Sequence, residues 1–288
     1  MIDILVLNYN DAFTTTCFVN SVKDYSCVRK ILVVDNHSED DSLKCLKKIE
    51  TDKVIVVDSG KNGGYGAGNN FGIRYLSERF HSEYILLSNP DVIVEENVVA
   101  ELEKFLRNNS EYAIAAPFML DSNGQKQGNT AFRIPSKWEY INSINFLFRK
   151  FNDSFYYKNI VSESLKIKDV GSVSGSMFLM RVKDMLKYGM YDENIFLYCE
   201  EIVLGLKMQY ASRKIALLID HTFVHNHSVS ISKKYKSLMA KQRLFMNSKL
   251  YVIRHYYHAN VFERFFAFFL SKLSIVEIYL IGLLRRLK

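Results

Sequence analysis

Two adjacent carboxylates, Glu200 and Glu201, head a segment that reads as a short helix over 200–211. Like charges held that close raise one carboxyl's pKa toward the range of a general base. A helix-capping role explains the same acidic pair. Upstream, four polar loops each follow a short apolar run. They read Asn8-Tyr9-Asn10, Asp35-Asn36-His37-Ser38, Asn62-Gly63-Gly64-Tyr65-Gly66-Ala67-Gly68-Asn69-Asn70 and Ser88-Asn89-Pro90-Asp91. Turn formation alone accounts for Asn, Asp and Gly in any one such loop. Four in succession on one edge of one sheet point to a binding site. Far downstream, the run Val224–Ser230 adds the imidazoles of His225 and His227.

The elements that must position these residues follow from periodicity. Ile2–Leu7, Lys30–Asp35, Val54–Val57 and Tyr84–Leu87 are short, apolar and bounded by polar turns, as buried strands are. Helical stretches alternate with them near 12–23, 40–50, 66–79 and 95–109. The alternation predicts an α/β fold with a mostly parallel central sheet and helices on both faces. Ligands bind such sheets at the carboxyl ends of the strands. After residue 120 the alternation weakens. Asp121-Ser122-Asn123-Gly124 is a turn between extended runs, 136–168 is aromatic and irregular, Val173–Met180 and Ile215–Ile219 are strand candidates, and 236–287 reads as helical throughout. The expected organisation is a catalytic body over 1–235, with halves at about 1–120 and 121–235, and a helical tail over 236–288.

The glycine-rich run does not fit a dinucleotide fingerprint. Beginning at Gly64 the third glycine position is Asn69, and beginning at Gly66 it is Phe71. The run also follows the third strand, not the first, and lacks the Gly-Lys-Ser/Thr of a phosphate loop. Taken with Gly175–Arg181 and Tyr191–Glu201, the ordered series of motifs instead resembles the inverting family-2 glycosyltransferases of GT-A fold. The likeness is to the branch of rhamnosyltransferases and bacterial polysaccharide-assembly enzymes, and it spans about residues 2–230.

That resemblance implies a transfer from a nucleotide-diphosphate sugar to a glycan or lipid-linked oligosaccharide, by inverting single displacement. It places Asn8, Tyr9 and Asp35 around the nucleoside, although a helix N-cap role for Asp35 accounts for it too. It adds Asn62, Gly63, Asn69, Asn89 and Asp91 to the donor site. Asn89-Pro90-Asp91 stands where related enzymes carry an Asp-x-Asp-type metal motif, and His225 or His227 falls in the segment that closes the site. Oxygen ligands suit Mg²⁺, and an added imidazole favours Mn²⁺. Glu201 occupies the position of the base, usually an aspartate, with Glu200 beside it. Val203 stands where a second acid is common. Two rivals remain: a sugar nucleotidyltransferase, and a catalytically impaired nucleotide-sugar binder or scaffold.

Charge and cysteine usage bear on partners. Residues 236–288 hold ten Lys and Arg against Glu263 and Glu277, while the remainder of the +7 chain is close to neutral. A neutral body argues against nucleic acid and directs the basic tail to something anionic. In Phe262–Leu284 the longest uncharged runs are seven residues, too short to span a bilayer. At helical spacing Phe265, Phe269, Val276, Leu280 and Leu283 share one side, opposite Arg264, Ser271, Arg285 and Arg286. That pattern fits an interfacial anchor on an anionic membrane surface, or a face packed on the body or on a second copy in a homo-oligomer. The four cysteines form no disulfide framework, and no basic leader precedes Ile2. The expected location is cytoplasmic, peripheral on the inner face of the cell membrane.

Overall fold

The computed structural model describes residues 1–149, 155–157, 166–226 and 238–286. Its strands are β1 (Ile2–Asn8), β2 (Val28–Asp35), β3 (Val54–Asp58), β4 (Tyr84–Ser88), β5 (Val92–Ile93), β6 (Tyr112–Leu120), β7 (Ala131–Phe132), β8 (Ile167–Val170), β9 (Ser172–Val173), β10 (Met177–Arg181) and β11 (Lys214–His225). Nine form one sheet in the order β3-β2-β1-β4-β10-β6-β11-β5, with β8 added on β11, and β7 pairs with β9. The first four strands run parallel, as their continuous apolar sequences require of strands covered on both faces. Beyond them the sheet is mixed, because β10 enters antiparallel between β4 and β6.

Helices α1 (Ala12–Val22), α2 (Ser42–Leu46) and α4 (Glu96–Asn108) cover one face; α3 (Tyr65–Phe80) covers the other. The short helices α5 (Lys137–Asn142), α6 (Phe146–Arg149) and α7 (Val182–Asp184) precede α8 (Glu200–Tyr210). In α8, Leu204 and Met208 join the core under the sheet, whereas Ile202, Val203 and Leu206 join a separate cluster on its other side. That second cluster includes Tyr140 and Ile141 of α5 and, from the tail, Met246, Val252, Ile253, Ala267 and Leu270. Val203 is thus a packing residue, 2% exposed, at a place where an acid would be buried without apparent compensation.

Three sequence expectations change in detail. The strand expected over Val173–Met180 is broken at Ser174-Gly175-Ser176 into β9 and β10. At the break Tyr65 Oη donates to the Gly175 carbonyl at 2.7 Å. The strand expected over Ile215–Ile219 continues to His225, through a register shift between Leu218 and Thr222. The tail is two helices, Leu238–His255 and Val261–Arg286. Asn260 starts the second: its side chain accepts from the Glu263 N–H at 2.9 Å and Glu263 returns the bond to the Asn260 N–H at 2.8 Å. This is reciprocal N-terminal capping. Among the described residues, no helix is long and apolar enough to cross a membrane.

Candidate active site

The antiparallel entry of β10 assembles the centre of the site. Its start meets the carboxyl end of β4: Met177 is in register with Ser88, and the Asn89 N–H donates to the Ser176 carbonyl at 2.7 Å. From the other side, the end of β11 pairs with β5, with His225 opposite Val92. His225 Nε2 therefore lies 3.2 Å from Asp91 Oδ1, and both side chains are about one-tenth exposed. A carboxylate oxygen and an imidazole nitrogen converging this closely suit a cation such as Mn²⁺ that also takes oxygens from a diphosphate. Among the described residues, no group of three or more His, Cys, Asp and Glu side chains gathers as a metal site by itself. His227 lies outside the described residues.

The amino end of α8 faces the same place. Tyr198 and Cys199 both adopt positive φ, 74° and 73°, immediately before Glu200. Two successive non-glycine residues in the left-handed region cost stability and concentrate at functional sites. The turn they make aims the first residues of α8 at the loop of β10. Glu201 Oε1 accepts the Gly175 N–H at 3.4 Å, and Ser172 Oγ donates to the Glu201 carbonyl at 2.7 Å. Glu201 reaches the cavity, while protein atoms crowd its other sides. Burial raises the carboxyl pKa of both glutamates, and the Glu201 charge raises Glu200 further. Glu200 is 5% exposed, and its Oε1 has no hydrogen-bond partner among the described residues.

Of the residues read as donor-binding, Asn89 lines the cavity described below, whereas Asn8, Tyr9, Asp35, Asn62, Gly63, Asn69 and Asp91 are not among its lining residues. Asn8 and Asp35 are buried and hold each other, Asn8 Nδ2 donating to Asp35 Oδ1 at 2.6 Å. Ser38 donates to the same carboxylate from its N–H at 2.9 Å and its hydroxyl at 2.7 Å. Tyr9, half-buried, donates to Glu39 at 3.1 Å. Asn62 Oδ1 accepts from Asn36 Nδ2 and from the Gly64 N–H, both at 3.2 Å, so it shapes the glycine loop with Gly63 partly exposed beside it. Gly64 has φ 92°, and a Cβ there would sit 2.1 Å from the Phe196 carbonyl oxygen. Only glycine permits that approach, which lets the Tyr65 N–H donate to Phe196 at 3.1 Å. Asn69 is buried and bonds back to the Tyr65 carbonyl at 3.0 Å within α3.

These elements enclose a cavity of about 430 Å³ lined by Asn89, His225, Gly175, Glu200 and Glu201. Phe155 and Tyr156 line it as well. Trp138, from the same aromatic stretch, is not among its lining residues: its ring packs toward Phe266 of the tail at 6.4 Å. Tyr157 also turns away, its hydroxyl accepting the Gly171 N–H at 3.2 Å. Sequence reasoning missed Tyr65 as a wall, and missed Phe245 and Lys249, which come from the first tail helix. The glycine run held a signal for Tyr65; nothing local marked the other two.

A mixed sheet carrying polar loops on one edge, with an adjacent glutamate pair at a cavity that also holds the imidazole of an acid–imidazole pair, defines a GT-A-fold glycosyltransferase. The chain belongs to glycosyl transferase family 2, whose model matches residues 3–184. It is similar to the low-salt glycan biosynthesis hexosyltransferase Agl10 of Haloferax volcanii, 27% identical over 79% of this chain and 68% of that one. It is also similar to the rhamnosyltransferase WbbL of Escherichia coli K12, 22% identical over 79% of this chain and 98% of that one. Among solved structures, GalNAc-T7 with UDP, GalNAc and Mn²⁺ shares the fold at TM-score 0.62 and 14% identity over 80% of this chain. TarS of S. aureus does so at TM-score 0.55 and 15% identity over 88%. This chain spans 44% and 40% of those two proteins, respectively.

Proposed function

We propose that this glycosyltransferase moves a hexosyl or rhamnosyl group from a nucleotide-diphosphate sugar to a glycan or lipid-linked oligosaccharide of a bacterial surface polysaccharide, by inverting single displacement. The observation that carries the reading is one cavity lined both by Glu201 and by His225, the partner of Asp91. Asp91 and His225 would hold a divalent ion, Mn²⁺ or Mg²⁺, which would supply positive charge against the diphosphate of the donor. Asn8, Tyr9, Asp35, Asn62, Gly63, Asn69 and Asn89 make the donor pocket. Tyr9 and Gly63 do so by surface, Asn8 and Asn69 by holding their loops. Asp35 accepts three hydrogen bonds, from Asn8 and Ser38, which leaves about one acceptor position on Oδ2 for a ligand. Glu201 takes the acceptor proton, held by the Gly175 N–H; burial keeps its affinity for protons high, and Glu200 stands beside it with its own carboxyl raised by the Glu201 charge. The names of Agl10 and WbbL support a hexose or deoxyhexose and a glycan product.

A panel of UDP-, GDP- and dTDP-sugars tests the proposal. One nucleotide class raises the melting temperature in the presence of Mn²⁺, and its sugar donor is consumed with release of the nucleoside diphosphate when a polyprenyl-linked acceptor is added. Binding without turnover on any acceptor would favour the scaffold alternative. Pyrophosphate-dependent release of a nucleoside triphosphate would favour the nucleotidyltransferase.

The tail reading extends to the membrane. The second tail helix packs its inner face, with Ala267 and Leu270 in the core and Glu263 paired to Lys137 at 2.8 Å. Its outer face leaves Phe262, Phe265, Phe269 and Val276 more than half exposed. Against the basic charge of 236–288, that face fits an anionic leaflet on the cytoplasmic side. The chain is expected to pellet with anionic liposomes, less at high salt because salt screens the charge term but not the apolar one. Phe265→Ser with Phe269→Ser spares the inner face and should leave the chain in the supernatant. Unaltered pelleting of that variant, or a wild type that ignores liposomes and instead dimerises, rejects membrane docking.

A further inference from the structure

Lys249 stands in the cavity without a part in the transfer chemistry. It projects from the first tail helix, lines the pocket and is 5% exposed. Its Nζ donates to the Ser143 carbonyl at 3.0 Å and to the Ser143 hydroxyl at 2.7 Å. The rings of Tyr140 and Phe245 flank it, with centroids 5.1 and 5.2 Å from Nζ. An ammonium has three donors, and Ser143 takes two of them. No carboxylate of the described residues pairs with it. Of the neighbouring groups that act on it, the Cys199 thiol favours the charged form and the Arg149 guanidinium, another cation, opposes it. A buried cation without a counter-charge is costly to keep, and burial brings its pKa down to about 8.

A structural lysine would be expected to keep an acid beside it or to carry its ammonium out to solvent. This one does neither. It ends in a cavity large enough for a sugar, on the wall made by α5 and the tail. The donor-side groups Asp91 and His225 stand just before β5 and at the end of β11. We infer that Lys249 is the contact for an anionic group, carboxylate or phosphate, on the acceptor, an inference that rests on the transferase reading above. The third N–H meets the anion, and the flanking rings exclude water from the contact. The acceptor is then an acidic sugar, or a sugar joined to a lipid through phosphate. In the first case the charge lies on the ring that receives the new bond; in the second it lies at the reducing end.

Calorimetry on the full chain tests this, with the donor site first saturated by UDP, GDP or dTDP and Mn²⁺. The probes are methyl β-glucuronide, geranyl diphosphate and the neutral methyl β-glucoside. One anionic probe should bind at least about tenfold more tightly than the glucoside, and which one distinguishes carboxylate from phosphate. Lys249→Met should remove that preference and Lys249→Arg should recover part of it. If Lys249→Met lowers stability too far to titrate, Lys249→Gln serves, since it can keep a bond to Ser143 without the charge. Equal binding of charged and neutral probes, or an unchanged preference in the neutral variants, overturns the inference. A chain that binds no nucleoside diphosphate at all fails at the earlier reading, which separates the two outcomes.

Discussion

Glu201→Gln is expected to lower turnover by about 10²–10⁴ while the nucleotide-sugar binds as before. Glutamine keeps the volume and can still accept the Gly175 N–H through its carbonyl oxygen, so the loop of β10 stays in place. What is lost is the proton acceptor. The pH profile supplies the independent check. Burial raises the Glu201 pKa, so its carboxylate takes a proton at a higher pH than an ordinary glutamate, at about 4.3, would. The base acts only when ionised. The rate should therefore fall as pH is lowered through a value above the usual carboxylate range, and this limb should vanish from the residual activity of the variant. Glu200→Gln replaces a carboxyl that burial and the Glu201 charge already hold toward its protonated form, so a smaller loss of rate is expected, with the limb little moved. A greater loss from Glu200→Gln than from Glu201→Gln assigns the base to Glu200. Full activity in both variants removes the pair from catalysis.

Asp91→Ala is expected to abolish the part of nucleoside-diphosphate affinity that depends on divalent metal, a loss of at least about tenfold, or about 1.4 kcal/mol. The fold should survive, because the Asp91 carbonyl still accepts the Asn226 N–H at 2.9 Å and the β5–β11 pairing does not involve the carboxylate. His225→Ala should behave alike but more weakly, since imidazole brings no charge to a site whose work is neutralisation. Titrations with Mn²⁺ and with chelator read the effect directly. If affinity is the same in the wild type and Asp91→Ala under both conditions, the pair is only a structural contact between β5 and β11.

The sequence by itself determined the first half of this protein closely. Strands expected at Ile2–Leu7 and Tyr84–Leu87 are found at Ile2–Asn8 and Tyr84–Ser88, and α3 spans Tyr65–Phe80 where 66–79 was expected. Parallel βα units are legible because each strand is buried on both faces and so is apolar throughout, while its loop is polar. The acidic pair Glu200 and Glu201 stands out in the sequence by itself, whereas Asp91 and His225 were singled out through the family resemblance. What local pattern cannot contain is a pairing between distant segments. The antiparallel entry of β10, the extension of β11 to His225 and the return of the tail onto α8 each depend on contacts far apart in the chain. The tail shows this most clearly. Its charge and amphipathic spacing were readable, yet its inner face, with Met246, Val252 and Lys249, is defined only by α5 and α8 packed against it. Hydrophobic burial is indifferent to sequence distance, so only the folded chain decided that a basic appendage would also be a wall of the candidate active site.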